Sequence, residues 1–193
     1  MKRGTVVGLA VLAVVVIVVL SLAGYVQRTY NGLVRMDESV KASWAQVETV
    51  LQRRLDLIPN LVETVRGYQI HEQDVLVRVT EARSRVAGGG SIPQQIEANN
   101  QLTSALSRLL VVVENYPNLK ANESFLRLQD ELAGTENRIS VERRRYNETV
   151  RDYNIMVRAF PANLVASATG FKLATSFEAA PEAATAPKVD FRN

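Results

Sequence analysis

The chain has 193 residues, a formal net charge of +3 and no cysteine. This length suits one domain with an appendage, and the lack of cysteine excludes disulfides, thiolate metal sites and cysteine nucleophiles. The positive charge does not indicate nucleic-acid binding. Without Lys2 and Arg3, the 23 basic residues fall to 21 against 20 acidic residues, whereas a phosphate-binding groove needs a clustered excess of positive charge.

The first predicted element is a transmembrane helix. No charged residue occurs from Gly4 to Gln27, and a helix of roughly 20 apolar residues crosses a bilayer core of about 30 Å. We therefore assign residues 1–27 to a basic N-terminus followed by a single-pass anchor. Apolar positions distributed along this anchor are Val6, Leu12, Val16 and Leu20.

A cleaved signal peptide is the alternative interpretation, since "SLA" at residues 21–23 has the small residues of a cleavage site. The length of the apolar run favours a retained anchor. Lys2, Arg3 and the terminal amine before the apolar run compete with Arg28, Arg35 and Lys41 after it. We weigh the closest charges as favouring a cytoplasmic N-terminus in the inner membrane and a main domain outside the cytoplasm.

Beyond the anchor, apolar residues recur at helical spacing in four segments. These stripes begin at Val40, Leu61, Leu102 and Phe125, and the last one extends to Phe160. In the last segment, two Tyr-Asn pairs lie one heptad apart and therefore share a helix face, namely Tyr146-Asn147 and Tyr153-Asn154.

Proline and glycine mark the expected helix boundaries. "IPNL" (58–61), "AGGGSIP" (87–93), "NYPNL" (115–119) and "FPANL" (160–164) separate the stripes, because proline and glycine interrupt regular helices. We expect the charged residues near Pro59 to fix the angle between two helices that meet there.

Together these features predict an all-α protein. The N-terminal transmembrane helix is followed by an elongated antiparallel bundle of about four helices in residues 28–174. Residues 175–193 form an Ala/Pro-rich tail that we expect to be mostly disordered.

Three long stretches make the chain resemble the LemA family of bacterial membrane-anchored proteins. They are "WAQVETVLQRRLDLIPNLVETVRGYQIHE", "LLVVVENYPNLKANESFLRLQDELAGTENRIS" and "RRRYNETVRDYNIMVRAFPANLVA". The resemblance covers nearly all of the chain after the anchor. It implies an all-α bundle on a single membrane helix, and it implies no catalytic residues, because the family has no agreed biochemical function.

A first group of candidate interaction residues surrounds Pro59. Its charges either bind an anionic ligand or partner, or form an ion-pair and capping network between two helices, and we favour the network. The candidates are Arg53, Arg54, Asp56, Asn60 and Glu63.

A second group lies in "QDELAGTENRIS". Gly134 is interior to a helix by periodicity, where glycine costs about 1 kcal/mol relative to alanine. A close helix crossing within the domain or between subunits would explain it, and so would a kink. The candidates here are Glu131, Gly134, Glu136, Asn137 and Arg138.

The sequence gives little support for a metal site, a phosphate-binding loop or a catalytic site. His71 is the one histidine, too few for a zinc or di-metal site, so we expect no metal, no cofactor and no catalytic residues. "GGGS" lacks the lysine of a phosphate loop. The arginine run 143–145 is flanked by acids, which favours a solvated helix face.

These observations predict a non-catalytic, membrane-anchored helical protein that self-assembles or organises partner membrane proteins. No small-molecule substrate and no nucleic acid is expected. The first alternative is a signal-transducing membrane component with a ligand or partner site at Pro59, where binding shifts one helix against another. An enzyme that uses His71 and the acids of "QDELAGTE" is the second alternative.

Overall fold

The computed structural model describes residues 3–68 and 72–177. In this part of the chain the regular elements are all helices, four long and two short, which confirms the all-α prediction. They are α1 (Arg3–Arg66), α2 (Gln73–Ala87), α3 (Ile92–Val113), α4 (Pro117–Lys120), α5 (Glu123–Arg158) and α6 (Ala162–Thr169).

The first helix, α1, is 64 residues long. Its N-terminal part is apolar and exposed: the side chains of Val6, Leu12, Val16 and Leu20 are 47–66% accessible. This part of α1, with a mean hydropathy of 3.2, is long and apolar enough to cross a membrane. The helix continues through residues 21–23 without a break.

Pro59 does not end a helix, so the predicted boundary at "IPNL" is wrong. Proline has no N–H, and inside a helix it leaves the carbonyl four residues earlier without its usual donor. That carbonyl belongs to Leu55, and Arg83 of α2 donates its Nε–H to it at 3.0 Å. An outside donor therefore replaces the missing backbone hydrogen bond, and α1 continues to Arg66.

Helix α1 ends at Arg66 and is followed by a turn at Gly67, a position that the sequence pattern did not indicate. The Gly67 N–H still donates to the Glu63 carbonyl at 3.1 Å, and α2 begins at Gln73. His71 lies outside the described residues.

The glycine-rich boundary between α2 and α3 is confirmed. Gly89 and Gly90 have φ values of 66° and 119°, a backbone region that only glycine adopts without strain. Ser91 then precedes α3, and its N–H donates to Gln94 Oε1 at 2.9 Å, as in a capping box.

The chain forms two compact units. The first comprises Met1–Ser43 and Glu148–Ala174, and the second comprises Trp44–Asn147 and Thr175–Asn193. In the first unit Leu33 packs with Val165 and Ala166. The core of the second unit is larger and contains the predicted stripes, among them Leu55, Ile58, Leu61, Val65, Val79, Ala82, Val86, Leu102, Leu106, Leu109, Val113 and Phe125.

The two Tyr-Asn pairs of α5 hold the C-terminal segment (residues 171–177) by the same bonds. In the second unit, Asn147 donates to the Phe177 carbonyl at 2.9 Å and accepts from the Phe177 N–H at 2.8 Å. The Tyr146 hydroxyl donates to the Thr175 carbonyl at 2.8 Å. Burial raises the pKa of Tyr146 to about 12.

In the first unit, Asn154 exchanges two hydrogen bonds of 2.9 Å with the Ala174 backbone, and the Tyr153 hydroxyl donates to the Lys172 carbonyl at 2.8 Å. The shared face of the two pairs is thus a backbone-binding surface. Residues 178–193, most of the tail expected to be disordered, lie outside the described residues.

Candidate functional site

Arg54 of α1 is a charged side chain in an apolar neighbourhood. It lies between Leu51 and Ile58 on the face of α1 that forms the core of the second unit, and it is 4% exposed. A buried guanidinium is costly unless it is paired and hydrogen-bonded. Its partners therefore determine what this position does.

Helices α3 and α5 supply those partners. Arg54 Nη1 donates to Thr103 Oγ1 at 3.0 Å and to Asn99 Oδ1 at 3.3 Å, and it lies 3.2 Å from Glu136 Oε2. The Thr103 hydroxyl in turn donates to the Asn99 carbonyl at 3.1 Å. One arginine atom thus links three helices of the second unit.

A second arginine, Arg143 of α5, extends this polar cluster. Its guanidinium carbon lies 4.7 Å from the centre of the Phe177 ring, a cation–π distance. Phe177 also stacks on Trp44, with 5.9 Å between ring centroids. The polar cluster (Arg54, Asn99, Thr103, Glu136 and Arg143) therefore borders the aromatic residues that bind the C-terminal segment.

The polar cluster contains two cations and one anion. Burial lowers the pKa of Arg54, with Glu136 acting in the opposite direction and Arg143 lowering it further. Burial also lowers the pKa of Arg143, again opposed by Glu136. Both guanidinium groups stay charged, because arginine does not lose its proton in proteins. The site holds one excess positive charge.

Several buried polar atoms of the polar cluster have no hydrogen-bond partner in the described part of the chain. They are Asn99 Nδ2, Glu136 Oε2, Arg143 Nε and Arg143 Nη2. Glu136 Oε2 is close to Arg54 but poorly oriented for a hydrogen bond. Three of the four atoms are hydrogen-bond donors, so the polar cluster has too few acceptor groups.

The structure separates the residues predicted around Pro59. Arg54 points into the core, whereas Arg53, Asp56, Asn60 and Glu63 are exposed. Asp56 accepts from Gln52 Nε2 at 2.7 Å, and Glu63 pairs with Arg66 at 3.2 Å. These exposed charges therefore do not brace a junction of two helices, because α1 is continuous there.

The structure also places the candidate residues around Gly134 in two different environments. Glu136 joins the polar cluster, whereas Glu131, Gly134, Asn137 and Arg138 are exposed on α5. A Cβ atom built on Gly134 meets nothing within 4 Å. Of the three explanations offered for this glycine, a close helix crossing within the described part of the domain is wrong. A crossing between subunits and a kink both stay predictions.

Sequence reasoning missed three members of the polar cluster: Asn99, Thr103 and Arg143. Arg143 was expected on a solvated face, yet it is half-buried beside Phe177, while Arg145 pairs with Glu142 at 3.0 Å as a surface residue does. One signal was available, since Arg143 lies seven residues after Glu136 and therefore shares its helix face.

A groove lies between α2 and α3 in the second unit. Its charged lining is balanced, since three arginines (78, 85 and 108) face three acids (74, 81 and 97). The lining therefore carries no formal net charge. Among the described residues, no three His, Cys, Asp or Glu side chains cluster closely enough to hold a metal ion.

The comparison with known proteins covers most of the chain. Magnetosome protein MamQ 2 of Paramagnetospirillum magneticum is 29% identical, over 88% of this chain and 73% of its own length. MamQ of Magnetospirillum gryphiswaldense is 28% identical, over 84% and 71%. Protein LemA of Metamycoplasma hominis is 25% identical, over 70% and 63%.

The LemA family model matches residues 43–191. This range contains every member of the polar cluster, both Tyr-Asn pairs and the C-terminal segment. The chain therefore belongs to the LemA family.

Proposed function

We propose that this protein is a non-catalytic, membrane-anchored helical scaffold that self-assembles or organises partner proteins at the membrane. The observation that carries the proposal is the continuity of α1. One 64-residue helix holds the exposed apolar segment at its N-terminal end and core residues of both units further along. No loop therefore separates the apolar segment from the first packed residues of α1.

Two further observations support this role. The apolar side chains of residues 6–20 are exposed in the described structure, and lipid is the solvent that suits such a helix. Three relatives carry the name of a structure, the magnetosome, rather than that of a reaction. Both observations fit a protein that acts by position and contact.

The proposed contact surface is the exposed part of α5 formed by Glu131, Gly134, Asn137 and Arg138. An exposed glycine in a long helix costs stability without a local benefit. Because it has no side chain, Gly134 lets the backbone of a second copy or a partner approach α5 closely. The flanking charges and amide would then set the register of the contact.

The test replaces Gly134 by leucine in the full chain. Ala133→Leu is the matched control, because residue 133 is also exposed but lies about 100° around the helix. We expect Gly134→Leu to reduce the mass of the complex extracted in mild detergent, and Ala133→Leu to leave it unchanged. Equal masses for both variants and the wild type would contradict this contact surface.

We place the anchor in the bacterial inner membrane with the helical units outside the cytoplasm, on the basis of Lys2 and Arg3. Ser84 is exposed on α2, and the chain has no cysteine, so Ser84→Cys reports the side directly. Labelling of intact cells by an impermeant maleimide is expected. Protection until the cells are lysed would reverse the orientation.

A signal-transducing role is the second candidate, and the unpartnered donors of the polar cluster favour it. A small oxyanion that displaced Glu136 would gain two guanidinium groups and alter the packing of α1, α3 and α5. Phosphate should then raise the thermal stability of the wild type more than that of Arg143→Gln at equal ionic strength. Equal shifts in both proteins would exclude the polar cluster as the ligand site.

A further inference from the structure

The turn between α5 and α6 exposes two large apolar side chains. Phe160 is 81% exposed and Leu164 is 62% exposed. The sequence stripe placed Phe160 in the core, and the structure overturns that expectation. From Ala159 to Phe171 the chain has no charged residue. The whole turn, rather than a single side chain, is therefore suited to an apolar environment.

This turn belongs to the same compact unit as the apolar segment of α1. Met156, near the end of α5, contacts α1 at Gly32: a Cβ built there would lie 2.6 Å from Met156 Cε. Val165 of α6 packs against Leu33. The end of α5 and all of α6 are therefore fixed beside the stretch of α1 that directly follows the apolar segment.

The level of the turn along α1 follows from helix geometry. Burial raises the pKa of the Tyr153 phenol, and the nearby Asp37 carboxylate raises it further. Tyr153 therefore lies near Asp37, and Met156 lies beside Gly32. The two helices therefore run in opposite directions within this unit. At about 1.5 Å per residue, the end of α5 at Arg158 lies about level with residue 30 of α1, and Phe160 follows two residues later in the turn.

The surroundings match a membrane–water interface. Tyr25 and Tyr30 of α1 are 38% and 43% exposed, and such tyrosines are enriched at the level of lipid head groups. Arg28 and Arg158 are exposed at the same level, where their guanidinium groups can reach phosphates while their stems stay in apolar surroundings.

We propose that the α5–α6 turn inserts Phe160 and Leu164 into the interface of the same bilayer that α1 crosses. The first unit would then hold the membrane at two points, the spanning helix and this apolar turn. The occupant is a lipid surface rather than a second protein, because the turn continues the apolar exposed surface of α1 at the end of its span. The inference rests on the anchor of the proposed function.

The experiment uses the full chain in vesicles of phosphatidylcholine and phosphatidylglycerol. Single cysteines replace exposed alanines, so that Phe160 and Leu164 stay intact, and each carries an environment-sensitive fluorophore. Ala159→Cys reports the turn, Ala13→Cys reports the span, and Ala121→Cys in the second unit is the matched control. Quenching by lipid-borne nitroxides is compared with quenching by aqueous iodide.

We expect lipid-borne quenchers with head-group nitroxides to act on the label at 159 and those with deep acyl-chain nitroxides on the label at 13. Iodide should quench the label at 121. Adding Phe160→Ser and Leu164→Ser should return the label at 159 to the iodide response of the control.

The inference is overturned if iodide quenches the label at 159 as strongly as the control label at 121. It is also overturned if the label at 159 is protected from iodide only above a threshold density of protein in the vesicles, because a second copy and not lipid would then cover the turn. In that case lipid quenching at 13 shows that the anchor itself stands. If lipid fails to quench the label at 13, the proposed anchor fails together with the inference.

Discussion

At the scale of single residues, Arg54 shows how a charge in an apolar stripe is stabilised. Its Nη1 atom donates hydrogen bonds to Thr103 and Asn99 of α3 and forms an ion pair with Glu136 of α5. A buried ion pair contributes little net stability compared with apolar packing, yet removing one partner leaves the others unsatisfied. We therefore interpret the polar cluster as a device that fixes the register of α1, α3 and α5.

Replacing Arg54 by leucine should destabilise the second unit by about 3 kcal/mol, because Asn99 and Glu136 lose their cationic partner inside the protein. Arg53→Leu is the control, since the neighbouring side chain is exposed and should change stability by less than about 0.5 kcal/mol. Urea unfolding of the detergent-solubilised protein, followed by circular dichroism, measures both. Equal effects would show that burial of Arg54 has no energetic consequence.

Arg83 should matter because of Pro59. Its Nε–H satisfies the Leu55 carbonyl that the proline leaves without a donor. Arg83→Met should cost about 1–3 kcal/mol in the wild type. In the Pro59→Ala background the restored backbone N–H competes for that carbonyl, so the same change should cost less.

This double-mutant cycle isolates the coupling between the two positions. An equal cost of Arg83→Met in both backgrounds would mean that Arg83 acts through its other contacts and not through the Leu55 carbonyl.

The sequence indicated which charged residues to consider, but not which of their side chains would be buried. Arg53 and Arg54 are adjacent and chemically alike, but one is exposed and the other is 4% exposed. Position in the stripe distinguishes them, because Arg54 follows Leu51 by three residues and precedes Ile58 by four. Its partners on α3 and α5 could not be inferred, since contacts between residues 45 or more apart depend on packing.

At the scale of elements, the two Tyr-Asn pairs of α5 make the same kinds of bond to the backbone of the C-terminal segment. Each asparagine exchanges two hydrogen bonds with one residue, Asn147 with Phe177 and Asn154 with Ala174. Each tyrosine hydroxyl donates to a carbonyl. The heptad spacing indicated the shared face, but not that the occupant would be backbone of the same chain.

Asn154→Leu should release the Ala174 end of this segment. The change removes two hydrogen bonds and should cost about 1–3 kcal/mol. Hydrogen exchange at the Ala174 amide should accelerate, while the Phe177 amide, held by Asn147, should change less. Asn118→Leu, at an exposed position of α4, is the control; an unchanged Ala174 amide in Asn154→Leu would refute the assignment.

Helix boundaries were predictable where the backbone itself requires them. Gly89 and Gly90 need positive φ values, so the break at "AGGGSIP" follows from composition. Pro59 lies inside α1 and removes one backbone hydrogen bond, which Arg83 replaces. The sequence does not reveal that donor, so the expected break at Pro59 was wrong. Phe160 fits the helical spacing but lies beyond the end of α5 at Arg158.

At the scale of the whole molecule, α1 is a single helix that contributes its apolar N-terminal segment and also residues of both compact units. The apolar segment, the stretch beside Leu33 and the stretch through Arg54 are parts of one helix. Each compact unit is built on a different part of that helix. This continuity is the observation on which the proposed scaffold role rests.

The most direct test of the scaffold is the mass of the full-length protein extracted from membranes in mild detergent. The chain has a mass of 21.4 kDa, so native mass spectrometry distinguishes a single copy from an assembly. We predict a uniform homo-oligomer or a complex with another membrane protein. A single copy with no companion protein, at the concentration found in the membrane, would contradict the account.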